Sequence, residues 1–178
     1  MSCEKQLYIV LSQTGTIISR MLKVFTRAEY NHVSISLTSD LEQMYSFGRK
    51  KAYMPFPGGM VKESVDSGVF KRFEDTKSVI IAVDIDDDKY CEICEYIGGM
   101  YMQKNIYHYN YLGVLFAAAN KEFKRENRFY CSEFVKHVLQ QAGAQGVEEL
   151  DEIVHPMDFF VLPHEEVYSG VLKEYCVN

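Results

Sequence analysis

The sequence predicts an α+β domain with a central antiparallel sheet and helices packed on it, and three observations carry that reading. Segments with the two-residue period of strands crowd the first half of the chain, and segments with helical spacing crowd the second. Strand and helix do not alternate as they would in βαβ units. At 178 residues, 47% hydrophobic and 25% charged, the chain has the size and apolar content of one domain, taken as residues 1–178.

The elements follow in order. Leu7 to Leu11 is a short apolar run read as a strand, and "TGTIISRMLKVFTRAEY" then places apolar residues at 17, 18, 21, 22 and 25, which is helical spacing with Thr14 or Thr16 as cap. In "HVSISLT", Val33, Ile35 and Leu37 alternate with Ser34, Ser36 and Thr38, the pattern of a half-buried strand that His32 opens. "EQMYSFGRK" reads as its antiparallel partner, and "YMPFPGGM" as a loop, from its two prolines and glycine pair. "GVFKRFE" and "SVIIAVDI" read as two more strands, the second apolar enough for the middle of the sheet. The pattern turns helical in "YCEICEYIGGMYMQ", in "YNYLGVLFAAANKEF", and from about Cys131 to Gln141, where Gly143 stops it. The tail combines a turn begun by Pro156 with a closing strand.

Charge narrows the partners. A net charge of −6 argues against nucleic acid and against an anionic membrane surface, leaving a small molecule, a peptide or an acyl-lipid group. The apolar run near the N-terminus is too short for a signal or a membrane span, so a cytoplasmic protein is expected. Five cysteines at 3, 91, 94, 131 and 176 do not resemble a disulfide framework, and reduced thiols are expected.

Chemistry concentrates at Cys131, directly ahead of an amphipathic helix. A helix N-terminus offers unpaired N–H groups and positive potential that stabilise a thiolate and an oxyanion, whereas a packing cysteine needs no such position. A nucleophilic thiol wants an imidazole in reach. His137 lies on the same helix but turns to another face; His108, His155 and His164 read as loop or surface residues; His32, held at the mouth of a strand, is the remaining candidate. "CEIC" at Cys91 to Cys94 lacks a second pair and sits inside a helical pattern, which supports neither zinc nor redox chemistry. "DIDDDKYCEICE" has carboxylates at calcium-loop positions, but Lys89 stands where glycine is required, and an acidic helix start explains it better. No glycine-rich phosphate loop follows a strand, so no metal or cofactor is expected.

Taken in order, "NHVSISL", "YHYNYLG" and "FYCSEFVKHVL" resemble the circularly permuted branch of the NlpC-type papain-like cysteine hydrolases, which includes the YiiX-like proteins and the lecithin retinol acyltransferase-like enzymes. The likeness runs from about residue 7 to 175 and is most specific in "HVSI" and "YCSEFV". It implies a papain-like fold, Cys131 as nucleophile, His32 as general base and a thioester intermediate. The family places a third polar residue about a dozen positions after the histidine to orient the ring. Met44 occupies that place and is unsuited to it; Glu42 and Ser46 share its strand parity, and Ser46 is preferred. Tyr109 and Tyr130 match aromatic positions that wall the pocket, and "PFPGGMVKESVDSG" would overhang the cleft as a loop. The expected activity is that of a thiol hydrolase or acyltransferase acting on an amide or ester. The rival readings are a catalytically silent module of the same fold that binds a peptide or lipid-like ligand, and an interaction domain in which Cys131 only packs.

Overall fold

The computed structural model describes residues 5–13, 28–54 and 56–176, and the helix expected to begin at Thr14 or Thr16 lies outside the described residues except for its last few positions, which are not helical. The strands are β1 (Lys5–Gln13), β2 (His32–Ser36), β3 (Met44–Arg49), β4 (Gly58–Glu63), β5 (Lys77–Ile85), β6 (His108–Tyr109), β7 (Arg128–Phe129) and β8 (Glu165–Val171). They form one sheet in the order β7-β6-β4-β3-β2-β1-β5-β8, antiparallel throughout except between β6 and β7. The described helices are α1 (Gly68–Arg72), α2 (Asp87–Met102), α3 (Tyr111–Ala118) and α4 (Cys131–Ala142), with a short 3-10 helix at Pro156–Val161. The chain is thus a mixed α/β protein with a single, mostly antiparallel sheet.

Central position explains the apolar strands. β1 pairs with β5 along its whole length, Lys5 opposite Ile85 and Gln13 opposite Lys77. Leu7, Ile9 and Leu11 point to the main core with Val79, Ile81 and Val83, while Val10 and Ile80 point to a smaller cluster behind the sheet. With both faces covered, neither strand can afford an alternating polar side. Helix α4 lays Phe134, Val135, Val138 and Leu139, all without exposed surface, into the main core, and the Phe134 ring meets Phe47 of β3 at 5.1 Å. Each such side chain contributes about 1.5–3 kcal/mol by leaving water. Gly143 ends the helix at φ 65°, and Ala144 N–H closes back on Leu139 O at 3.0 Å.

Three expectations change. Ser34 and Ser36 have no exposed surface, so the polar side of β2 faces the interior rather than water. The stretch after Phe56 is not an overhanging loop: Gly58–Glu63 is a strand that pairs with β3 from Arg49 opposite Gly58 to Met44 opposite Glu63. Its glycines hid it, and packing requires them, because a Cβ on Gly58 would meet Tyr111 Oη at 2.5 Å and one on Gly59 would meet Tyr107 O at 2.6 Å. "GVFKRFE" is a short helix rather than a strand; Gly68 opens it at φ 59°, and only Phe70 needs burial, against the smaller cluster.

Candidate active site

Three elements bring the reactive groups together. Cys131 is the first residue of α4, and α4 packs across β2, whose first residue is His32. The thiol and the imidazole, far apart in sequence, are brought close enough to influence each other's ionisation, as is the backbone N–H of Val33. Ser132 Oγ stands 3.9 Å from the sulfur. The cysteine is 7% exposed.

Behind the ring stands Glu63, the last residue of β4. His32 Nε2 lies 3.1 Å and 3.3 Å from its two carboxylate oxygens, with Ser34 Oγ 3.3 Å from the same nitrogen. Ser34 also donates to the carboxylate, which fixes the far side of the pair. With Nε2 occupied, Nδ1 is the nitrogen left to serve the thiol. Both side chains are nearly enclosed, 14% exposed for His32 and 11% for Glu63.

Electrostatics follow from this geometry. Burial pulls the His32 pKa down, but the Glu63 charge, followed by the Cys131 thiol, overcomes it and raises the ring to about 10. Burial likewise opposes ionisation of Cys131, yet the hydrogen bond and charge of His32, helped by Val33 N–H and Ser132, hold the thiol below its ordinary value. Glu63 is kept low against burial by His32, Ser34 and Ser46. The three groups thus favour one another's charged forms: the ring is protonated at neutral pH, the carboxylate ionised, and the thiol shifted toward thiolate.

The orienting group is therefore one strand farther away than expected. Ser46 is fully buried, and its Oγ forms no well-made hydrogen bond among the described residues; near Glu63, it helps to keep that carboxylate ionised. Glu42 sits exposed in the turn before β3. Met44, at the expected position, lies directly opposite Glu63, so the needed carboxylate is across the ladder from it. A strand at "GGMVKE" is the signal that would have found it.

A cleft of about 40 Å³ opens over the thiol, walled by Asn31, Tyr109, Tyr130, Ser132 and His155 among others. Tyr109 and Tyr130 are both among its lining residues. Burial, with the neighbouring Cys131, keeps Tyr109 a neutral phenol, and burial with Glu133 and Cys131 does the same for Tyr130. Glu133 Oε2 accepts from Tyr130 N–H at 3.3 Å and secures the start of α4. His155, read from sequence as a loop residue, is on the cleft wall, whereas His137 is bonded to Tyr96 Oη at 2.7 Å on the outer side of α4. Val154 also lines a second, larger hollow of about 480 Å³.

Cys91 is exposed, and burial raises the Cys94 thiol on α2, with Tyr90 acting against the rise. Asp86 precedes α2, and Asp87 and Asp88 form its first turn. Among the described residues no three His, Cys, Asp or Glu side chains are grouped to hold a metal ion, and no helix is long and apolar enough to cross a membrane. No protein-family model, curated protein or solved structure matches the chain.

Proposed function

We propose that the protein is a cysteine-dependent hydrolase or acyltransferase of papain-like design, with Cys131 as nucleophile, His32 as acid and base, and Glu63 as the group that orients and charges the ring. The observation that carries this reading is the buried row of thiol, imidazole and carboxylate, in which each group shifts its neighbour toward the charged form.

The steps follow from those states. The Cys131 thiolate attacks a substrate carbonyl, and the α4 N-terminus, where the Cys131 N–H lies, faces the developing oxyanion. The His32 ring gives its proton to the leaving nitrogen or oxygen as the bond to carbon breaks, leaving a thioester on Cys131. The neutral ring then takes a proton from water or an acceptor hydroxyl or amine that attacks the thioester, and the thiolate leaves. Glu63 holds the ring throughout and stabilises its cationic form.

A catalytically silent module was suggested by the lack of an orienting residue near Met44, and Glu63 removes that motive. The test is a screen of fluorogenic acyl esters and amides against the native protein and Cys131→Ala. Turnover that is lost in Cys131→Ala supports the reading; no turnover on either substrate class, or equal turnover by both proteins, rejects it.

A further inference from the structure

Asn31 immediately precedes the proposed base and is 8% exposed. Its backbone N–H is satisfied by Ser12 O at 3.1 Å, yet both polar atoms of its side chain, Nδ2 and Oδ1, are buried without a hydrogen-bond partner among the described residues. An unmatched buried donor or acceptor has given up its hydrogen bond to water for nothing, so a residue kept for packing alone would be apolar here. Asn31 is one of the residues that line the cleft, with Cys131, Ser132, Tyr109 and Tyr130.

We propose that Asn31 is a specificity residue that grips an amide group in the acyl part of the substrate, next to the carbonyl that Cys131 attacks. This inference rests on the thiol-hydrolase reading for its chemistry. A carboxamide offers a donor and an acceptor side by side, and its complement is the N–H and C=O of a peptide-like group. A plain ester or hydrocarbon chain has no N–H to give, and would leave Oδ1 unpaired. Because both atoms lack partners, the inference is the same whichever way the carboxamide is turned. The cleft is thereby matched to amino-acyl or peptidyl groups over simple fatty-acyl groups, and a site that pairs buried polar atoms with its substrate rejects analogues lacking the partner.

The experiment measures binding in the Cys131→Ala protein, where no chemistry intervenes. An N-acetylated amino-acid amide and an acyl ester of the same size are titrated into Cys131→Ala, with and without Asn31→Leu, by NMR, and melting temperature is recorded for each protein. The amide ligand should weaken about ten- to a hundredfold on Asn31→Leu while the ester ligand stays within about twofold. Melting temperature should hold or rise, because two unpaired polar atoms have gone. Failure of the amide to bind the parent, equal weakening of both ligands, or a fall in melting temperature shared by Asn31→Ala overturns the proposal. Asn31→Ala, which adds no bulk, carries the test if the leucine variant does not fold. A native protein with no acyl turnover would reject the thiol chemistry and leave this binding result standing.

Discussion

Replacing Glu63 with glutamine isolates the charge behind the ring while keeping the shape and a hydrogen-bonding group. With the His32 pKa at about 10, protonated imidazole exceeds neutral by roughly a thousandfold at pH 7, worth about 4 kcal/mol. Glu63 is the largest influence raising that pKa, and burial is the largest lowering it. In Glu63→Gln burial prevails, the ring falls back toward or below 6.5, and the Cys131 thiol loses the cation that holds it low.

The assay is the iodoacetamide alkylation rate of Cys131 from pH 5 to 9. The native thiol should react through the acid part of this range, and Glu63→Gln should move the profile alkaline. The rate at pH 6 then falls about tenfold for each unit by which the thiol rises. Stability should follow the same charges. The His32 pKa is raised, so its contribution is complete below 6.5 and lost as pH climbs through about 10. That of Glu63 is lowered, so its contribution is present above 4.5 and lost on acidification. The thermal deficit of Glu63→Gln should therefore be greatest between these limits and close at either end. An alkylation profile that superimposes on the native one would show that the carboxylate does not charge the ring.

Two further outcomes are expected. Ser46→Ala should shift the alkylation profile far less than Glu63→Gln, because Ser46 acts only through the carboxylate; an equal shift would make the serine the orienting group after all. Phe134→Ala should cost about 3–5 kcal/mol in denaturant unfolding, since the ring is fully buried against Phe47 and Phe129; a cost below about 1 kcal/mol would mean that the core closes around the gap.

How much of this was legible in the sequence depended on whether local pattern or tertiary contact set the structure. α4 could be read to within a residue, because its apolar face, its cysteine and its glycine stop are all local signals. β5 was equally plain, its unbroken apolar run matching a strand covered on both sides. β4 was hidden because Gly58 and Gly59 answer to Tyr107, Tyr109 and Tyr111, residues some fifty positions on that no local window contains. Missing that strand meant missing Glu63, and the orienting role was assigned to the nearest polar residue of suitable parity. Ser34 and Ser36 misled in the opposite direction: alternation signalled a wet face, while the sheet buries both and gives Ser34 to the carboxylate.

The spread of the site over β2, β4 and α4 also has a temporal meaning. A chain emerging from synthesis carries a histidine and a glutamate long before it carries Cys131, and until β3 joins β4 to β2 and α4 closes over them, its thiol is as sluggish as any in a peptide. On the proposed reading, an incomplete fold exposes an ordinary cysteine rather than an activated one. Alkylation at mildly acid pH would then serve as a clock for assembly, with the molecule reporting its own completion.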